Sequence, residues 1–346
     1  MKIRIISDIV SFKLLLDDWN ELFSLGSYSM FQSFDFNYYS WEVELSKNPC
    51  NKLCIVLLEK NKEIDAIFPL YIDSQYTLRF INDRHADFCD CISRKHVDFM
   101  ELYDYLKSEV NFYSIRLINL LRDSNIYNNI ICLDKLNKSV KIGSEYSVLD
   151  IEKGKFPYNV NQYRSHQKHR INKASRKYKN SISLVLNYKE SPFPKRELFC
   201  LRDEMILLGL REYDFLTNDR LYLIERLYNS GILILHFMKE KEKINSCNII
   251  MKRSDNEFMF WIDLFDNSKM INIASYIRFI ETVSLESSVV MNFGRGRYFY
   301  KVSNFSPVFD SLYQIDVYDS RFVKLIFCTI NYIRNSLIST YKSIKR

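Results

Sequence analysis

The stretch 289–301, which reads V-V-M-N-F-G-R-G-R-Y-F-Y-K, decides the fold of this chain. It begins as a short apolar strand and then breaks at Gly294 and Gly296, two of only 7 glycines among 346 residues. Glycine adopts backbone conformations that other residues avoid, so two glycines one residue apart indicate an unusual turn. The stretch ends in Tyr300 and Lys301. A strand that opens into such a turn can direct polar side chains into a cleft, and a surface turn with solvated charges is the alternative.

Composition predicts a folded protein with a sizeable core, because 47% of the residues are hydrophobic and 15% are aromatic. The length of 346 residues indicates two domains. No apolar run in the sequence approaches the roughly 20 residues of a membrane span, and the N-terminal residues do not resemble a secretory signal. The 8 cysteines are scattered, mostly in apolar contexts, which favours reduced, buried thiols and a cytoplasmic location.

Residues 1–150 predict a first half of mixed helices and strands. The predicted strands are 2–6, 53–59, 64–72, 77–81, 114–121 and 130–133, and the predicted helices are 11–25 and 99–110. A hairpin turn is expected at Lys60-Asn61-Lys62. The run 85–91 alternates His, Asp and Cys along one face of a strand, but no second cluster follows at ligand spacing, so we predict no metal site.

Residues 151–318 predict a second half that begins with a strongly basic helix. Seven Lys and Arg residues and no acidic residue lie between Lys155 and Lys189. Apolar residues recur there at helical spacing, so one face of the helix packs and the other is basic. The elements predicted to follow are the strands 182–188, 232–239, 243–252, 257–265, the apolar strand from 289 and 307–318, with helices 194–213, 218–230 and 272–287.

Residues 319–346 predict a third segment, a basic amphipathic helix. Such a helix either packs on the second half or lies on an anionic membrane surface. The sequence leaves both interpretations open.

The order of elements in residues 231–318 resembles the core of the GNAT acyltransferase fold. More narrowly, residues 15–318 resemble the tandem GNAT-like acyltransferases of bacterial cellulose and exopolysaccharide biosynthesis, which are related in architecture to the FemAB aminoacyltransferases. Five pieces carry this resemblance: Phe31-Gln32-Ser33, Ile67-Phe68-Pro69-Leu70, the basic helix from Tyr163, the strand 231–237, and Asn292 to Lys301 in place of the family's Asp-Gly-Gly-Tyr-Lys signature. The resemblance implies an α/β (α+β) protein of two GNAT-like halves, each a mixed, mainly antiparallel sheet flanked by helices.

The same resemblance implies transfer of an acyl group from acetyl-CoA or another acyl-CoA to a sugar or lipid-linked glycan, with no metal. In GNAT-type proteins the pyrophosphate of the cofactor lies at the N-terminus of the helix after the third meander strand. The residues of this chain at that place are Asn267, Ser268, Lys269, Asn272, Ala274 and Ser275. Free backbone N–H groups and the helix dipole favour an anion there on independent physical grounds.

Three residues are candidates for the proton transfers that acyl transfer requires. Tyr300, expected at the end of the strand, is the candidate proton donor. Asp263 is an acidic residue within an apolar strand, where burial would raise its pKa and make it a general base. His236, on the first meander strand, is the other candidate base. The structural alternatives are a core tyrosine, a carboxylate in water at a strand edge and a hydrogen-bonded core histidine.

A further set of residues is predicted to bind an anionic donor or acceptor: Arg295, Arg297, Lys301, Asn292, Arg164 and Lys168. Two other functions stay open. A FemAB-type enzyme would take its aminoacyl group from charged tRNA, whose backbone the basic helix would contact. A binding scaffold without catalysis is favoured by Asn292 in the place of the family's aspartate and by a loop without glycine. No base-reading motif occurs, so DNA binding is not expected.

Overall fold

The computed structural model describes residues 2–94, 97–157, 163–320, 322–326 and 329. Its strands are β1 (Lys2–Ile6), β2 (Lys52–Lys60), β3 (Glu63–Ile72), β4 (Thr77–Phe80), β5 (Ile92–Ser93), β6 (Ser114–Leu120), β7 (Lys138–Ile151), β8 (Ile182–Leu186), β9 (Leu233–Glu240), β10 (Lys243–Ser254), β11 (Glu257–Phe265), β12 (Val289–Arg295) and β13 (Val308–Tyr318). Its helices are α1 (Ile9–Lys13), α2 (Leu16–Ser24), α3 (Phe34–Val43), α4 (Phe99–Glu109), α5 (Asn125–Ile131), α6 (Ser165–Lys177), α7 (Lys195–Leu207), α8 (Asn218–Asn229), α9 (Ile271–Ser284) and α10 (Phe299–Phe305).

The chain divides into two compact units, and each unit is built from segments that are separated in the sequence. The first unit holds the described residues of Met1–Ser27, Asn48–Gly143 and Leu312–Arg346, and the second holds Tyr28–Lys47 and Ser144–Ser311. The main division, after residue 143, lies close to the predicted boundary at 150. The sequence did not predict that residues 28–47, which contain α3, join the second unit.

Each unit is built on a mainly antiparallel sheet flanked by helices, which confirms the predicted fold class. In the first unit the strand order is β1-β2-β3-β4-β6-β13, with β5 beside β3. Among the strand pairs described in this unit, β4 and β6 alone run parallel, and α4 lies between them in the sequence. The predicted hairpin is present: Lys60 pairs with Glu63 across Asn61 and Lys62, whose positive φ angles suit a two-residue hairpin turn.

Two predicted elements of the first unit are wrong. The apolar residues 130–133 do not form a strand, because α5 extends to Ile131 and Cys132 ends it. The N-terminus of α5 is well capped: Ser124 Oγ accepts the N–H of Tyr127, and the Asp90 carboxylate accepts two further N–H groups. Asp90, from the run 85–91, therefore serves to cap a helix. The predicted helix 11–25 is instead the pair α1 and α2.

The sheet of the second unit has the order β7-β12-β11-β10-β9-β8. β8 to β11 form an antiparallel meander, as predicted for β9 to β11, and α9 then crosses over to β12, which runs parallel to β11. Aromatic residues of α9, Tyr276 and Phe279, pack on Phe260 of β11. The segment 28–47 joins the same unit, where the rings of Phe31 and Phe36 each lie 6.1 Å from Trp261.

The parallel strands β11 and β12 pair over a short length only. Their register runs from Glu257 opposite Val290 to Met259 opposite Asn292. Beyond that point β12 stays beside β7, with Arg295 opposite Tyr146, while β11 continues to Phe265. The two strands therefore diverge toward their C-terminal ends, and the site described below lies at this divergence.

The C-terminal end of the stretch 289–301 differs from the prediction. Tyr300 and Lys301 do not extend the strand, because α10 begins at Phe299. The predicted C-terminal helix 319–346 lies mostly outside the described residues. Within this range, the described residues 322–326 are helical. Among the helices that the structure describes, none combines the length and apolar character needed to cross a bilayer. All seven described cysteines are free thiols, and four of them are buried.

Candidate functional site

A chain of three hydroxyl and carboxyl groups lies at the divergence of β11 and β12. Asp263 is near the end of β11, Tyr276 is in the second turn of α9, and Tyr300 is in the first turn of α10. The Tyr276 hydroxyl donates to Asp263 Oδ2 and lies 3.1 Å from the Tyr300 hydroxyl. The two phenol rings stack with their centroids 5.7 Å apart. Tyr276 is buried and Tyr300 is half-buried, so the chain leads from a partly accessible phenol to a carboxylate.

Burial determines the protonation states of Asp263, Tyr276 and Tyr300. It raises the pKa of Asp263, against the hydrogen bonds from Tyr276 and Asn248 and the positive charges of Arg211 and Lys301. Burial also raises the pKa of Tyr300 and of Tyr276, and the negative charge of Asp263 adds to both shifts. Both phenols therefore stay protonated near neutral pH. The carboxylate is the group that can accept a proton, and its raised pKa makes it a stronger base.

A second hydrogen-bonded chain holds Asp263 from the side of the sheet. Asn248 Nδ2 donates to Asp263 Oδ1 at 2.9 Å, and Asn248 Oδ1 accepts from Ser275 Oγ. The same oxygen lies 3.2 Å from His236 Nδ1, and His236 Nε2 lies 2.7 Å from Ser183 Oγ. With its proton on Nδ1, His236 satisfies all of these contacts at once. The amide of Asn248 is thereby fixed toward the carboxylate.

His236 is a buried structural histidine in this arrangement. Burial lowers the pKa of its imidazole to about 4, so the ring is neutral near pH 7. Both ring nitrogens have partners, and the side chain is fully buried. The sequence offered His236 as a base that meets the substrate, but the structure places it behind Asn248, where it orients the site.

The loop between β11 and α9, predicted to bind the cofactor, is held from below by Asp266. Its buried carboxylate accepts the Ser268 N–H at 2.9 Å and the Asn245 side-chain N–H at 2.8 Å, and it pairs with Lys243 at 3.1 Å. Met270, which directly precedes α9, has a positive φ of 69°. The loop is therefore a closely folded lead into the helix N-terminus.

The six predicted cofactor residues divide into two groups. Asn267 and Lys269 are exposed at the N-terminus of α9, and Ser268 and Asn272 are half-buried there. Asn272 Oδ1 accepts the N–H of Ile273, so the helix caps part of its own first turn. The other two predicted residues, Ala274 and Ser275, are buried in the core of the unit. Their side chains are not available to a ligand at the helix N-terminus, and the prediction reached two residues too far into α9.

The Gly-x-Gly turn is closed by Lys301. This lysine is 1% exposed, and its Nζ donates to the carbonyl oxygens of Gly294 at 3.1 Å and Arg295 at 2.8 Å. Both glycines have positive φ, as the sequence predicts, and Asn292 Oδ1 accepts the Gly294 N–H at 2.8 Å. Lys301 and Asn292 were predicted to bind substrate. The structure instead uses both side chains to hold the turn.

The remaining predicted substrate residues do not converge on one point. Arg297 is exposed, pairs with Glu145 at 2.9 Å and covers the ring of Phe309 at 4.5 Å. Arg295 is half-buried. Arg164, directly before α6, is exposed, and Lys168 on α6 is half-buried.

The basic helix α6 lies beside the two helices that carry the tyrosines. Lys177 Nζ donates to the Lys269 carbonyl at 2.9 Å, just before α9. Gln167 Nε2 lies 3.4 Å from the Val302 carbonyl of α10, and the Arg170 guanidinium lies 5.5 Å from the Phe299 ring. Within the second unit, α6 therefore borders both α9 and α10.

Sequence reasoning missed Tyr276 and Asn248. Asn248 is opposite His236 on one side and opposite Asp263 on the other, so three polar residues cross three neighbouring strands at one level. Asn248 and Asp263 lie equally far from the turn between β10 and β11, and this matching distance is the signal that could have found Asn248. Tyr276 has no such signal, because it is one of 24 tyrosines and sits on an otherwise apolar helix face.

Comparison with known proteins identifies the fold. No family model matches the sequence, and no curated protein matches it. Among solved structures, FemX superimposes with a TM-score of 0.59 at 9% identity, over 94% of this chain and 100% of that chain. The C-terminal domain of a putative lysylphosphatidylglycerol synthetase from Agrobacterium fabrum gives 0.58 at 9% identity, over 93% and 95%. A tandem GNAT protein from the clavulanic acid biosynthesis pathway gives 0.50 at 6% identity, over 91% and 98%.

These likenesses confirm the resemblance to the GNAT acyltransferase fold that the sequence indicates. At such low identities they show the fold alone. The narrower resemblance to the cellulose and exopolysaccharide type has no counterpart among them. The chain thus has the fold of GNAT-like transferases.

Proposed function

We propose that this chain transfers an acyl or aminoacyl group from an activated donor to an amine or hydroxyl acceptor, and that the second unit carries out the chemistry. One observation carries the proposal: the hydroxyl chain from Tyr300 through Tyr276 to Asp263 where β11 and β12 diverge. The GNAT-like fold also supports this class of reaction. Fold alone does not establish function, but the fold counts for more when the site holds groups suited to the reaction.

The hydrogen-bonded series Tyr300, Tyr276 and Asp263 can move a proton without leaving a charged phenolate. As the acceptor attacks the donor carbonyl, its proton passes to Tyr300 while Tyr300 passes its own proton to Tyr276 and Tyr276 passes one to Asp263. The carboxylate ends protonated, and the acceptor ends bonded to the acyl group. The reverse sequence returns one proton to the departing thiol or hydroxyl of the donor. Proton transfer by positioned groups of this kind contributes about 10² to 10⁴ in rate.

An acyl-CoA is the first donor within this proposal, and its phosphates would bind at the N-terminus of α9. Lys269 and Asn267 are exposed there, and the helix dipole favours an anion. A sugar or lipid-linked glycan as acceptor, and a cytoplasmic location, belong to the same proposal. The proposed acyl transfer requires no metal.

An aminoacyl donor such as charged tRNA is the second candidate. The observation in its favour is the occupied first turn of α9, where Asn272 already accepts the N–H of Ile273 and no glycine lets a pyrophosphate approach the backbone. One structural neighbour is the C-terminal domain of a putative lysylphosphatidylglycerol synthetase.

A scaffold without catalysis loses part of its support. It was favoured because Asn292 replaces the family's aspartate. Asn292 instead bonds to the Gly294 N–H, while Asp263 on the neighbouring strand supplies a carboxylate to the site.

Tyr300→Phe tests the proposal directly. Purified protein is incubated with radiolabelled acetyl-CoA or with charged tRNA, and both transfer to a panel of amines and sugars and hydrolysis of the donor are measured. We expect Tyr300→Phe to lower the rate by about 10² to 10⁴, because the first proton acceptor of the chain is removed. Tyr298→Phe is the matched control: its ring stacks on Tyr300 at 6.1 Å, but its hydroxyl is outside the chain.

Equal rates for the wild type and Tyr300→Phe would contradict the site. Turnover of neither donor would contradict the function and leave the scaffold interpretation. Turnover of one donor alone selects between the two candidate donors.

A further inference from the structure

The exposed side of α6 carries positive charge that the surrounding structure does not neutralise. The helix buries its apolar face through Ile171 and Ala174. Its other side, with the residues that flank the helix, presents Arg164, Lys168, Arg170, Lys173, Arg176, Lys177 and Lys179. Within the part of the chain that the structure describes, the ion pairs include none of these seven residues. Seven like charges on one short surface repel one another, so this surface favours an anionic partner.

Apolar side chains are exposed directly beside this charge, on α10. Phe299 is 75% exposed and Val302 is 40% exposed, and their spacing of three residues places them on the same side of the helix. Arg170 lies over the Phe299 ring, and Gln167 reaches the carbonyl of Val302. Phe299 and Val302 therefore border Arg170, one of the seven basic residues, and together we name these nine residues the α6–α10 surface.

We propose that the α6–α10 surface docks onto the headgroup region of an anionic lipid bilayer. Lys and Arg side chains are attracted to anionic headgroups, each strengthening binding by about fivefold near the surface. Exposed aromatic and aliphatic side chains enter the boundary between headgroups and acyl chains. This function goes beyond acyl transfer and does not depend on it.

A nucleic acid is the competing anionic partner, and Val302 argues against it. Nucleic acid bases stack on aromatic rings, so Phe299 alone would fit either partner. An exposed aliphatic side chain such as Val302 offers no stacking face, but it gains from burial among acyl chains. The combination of charge, ring and aliphatic side chain on one surface therefore favours a bilayer.

Vesicle binding by the full chain tests the proposal. The probes are vesicles of phosphatidylcholine alone and vesicles that also contain phosphatidylserine, and co-sedimentation measures the bound fraction. We expect binding only to the anionic vesicles, with a loss of about 25-fold in Lys173→Gln/Arg176→Gln. The matched control is Lys189→Gln/Arg196→Gln, which removes the same charge from the same unit beyond the far end of β8; it should bind within about twofold of the wild type.

A second measurement reports on α10 itself. In Phe299→Trp, the introduced indole should be quenched by brominated acyl chains in anionic vesicles and unaffected by phosphatidylcholine vesicles. The proposal is supported if Lys173→Gln/Arg176→Gln lowers binding to anionic vesicles and the indole of Phe299→Trp is quenched. No vesicle binding, an equal loss in the control variant, or binding without quenching would overturn it. Tighter binding of an RNA duplex that displaces the vesicles would also overturn it, since the partner would then be a nucleic acid.

Discussion

Asp263 shows how one residue acquires a chemical role from its surroundings. Its carboxylate is held on one side by the Tyr276 hydroxyl and on the other by the Asn248 amide. Neither neighbour carries a charge, so burial still raises the pKa of the carboxyl group, only partly opposed by these bonds. A carboxylate so placed is a base that two neutral donors orient without neutralising it.

His236 gives a prediction of how stability depends on pH. Its folded pKa of about 4 lies below the usual value of 6.5, so the unfolded chain binds a proton that the folded chain does not. Stability from the neutral imidazole is therefore present above pH 6.5 and falls by about 3 kcal/mol as the pH drops toward 4. Urea unfolding of the wild type and of His236→Gln should show a shallower pH dependence in the variant over this interval. Parallel curves would show that the imidazole does not titrate on unfolding.

The sequence identified Asp263 and Tyr300 as site residues. Strand pairing explains why it missed Asn248, whose amide orients Asp263. Counting outward from two hairpin turns should have aligned Asn248 with His236 and Asp263. In the β9–β10 hairpin a register shift next to Ile244 moves the alignment by one residue, so the count gives Leu235 in place of His236. In the β10–β11 hairpin two register shifts offset each other, so Asn248 stays opposite Asp263. An extra residue in a strand is decided by local packing rather than by the alternation of polar and apolar side chains.

At the scale of elements, the Gly-x-Gly turn and Lys301 depend on one another. Glycine lets the backbone enter the left-handed region, and the lysine then satisfies two carbonyl oxygens that the turn leaves inside the protein. The sequence predicted the turn, because glycines are rare here. It could not predict that the charge of Lys301 points inward, because that depends on α10 beginning at Phe299.

Gly296→Ala should destabilise the protein by about 1–2 kcal/mol, because φ is +89° at this position and a Cβ atom would lie 2.5 Å from the Tyr298 ring. Gly143→Ala is the matched control, since its Cβ would meet its nearest neighbours at 3.7 Å. Chemical denaturation measures both free energies of unfolding. Equal stability of the two variants would mean that the turn tolerates a side chain.

The N-terminus of α9 gives a prediction about the donor. If an acyl-CoA binds there, Lys269→Glu should weaken binding about tenfold in calorimetric titration, because a cation near the phosphates becomes an anion. Lys189→Glu, which makes the same charge change beyond β8, should bind as the wild type does. Equal affinity in both variants would move the phosphates away from this helix.

At the scale of the whole molecule, the second unit is made from two separate pieces of chain. Residues 28–47 contribute Phe31, Phe36 and Glu44, which meet Trp261 and Arg220 of the main segment 144–311. The sequence shows that residues 31–41 are rich in aromatic side chains, but it does not show which of two sheets they cover. Only packing decides that, which is why the predicted boundary at 150 assigned them to the first half.

This arrangement predicts how fragments behave. Residues 144–311 alone should be unstable or aggregate, because removing 28–47 uncovers apolar surface on α8 and β11. Joining 28–47 to residue 144 through a flexible linker should restore a cooperative thermal transition, and Phe36→Ser in that fusion should abolish it. Circular dichroism follows the transition. A stable fragment 144–311 would show that the segment is dispensable.

The two-piece construction also has a consequence in time. A ribosome adds roughly 5–20 residues each second, so residues 28–47 are made about 5–20 s before synthesis reaches residue 144. Through that interval the aromatic side chains of the segment have no surface of their own unit to cover. The newly made chain therefore carries an exposed apolar stretch early in translation, and this is where we expect a chaperone to bind first.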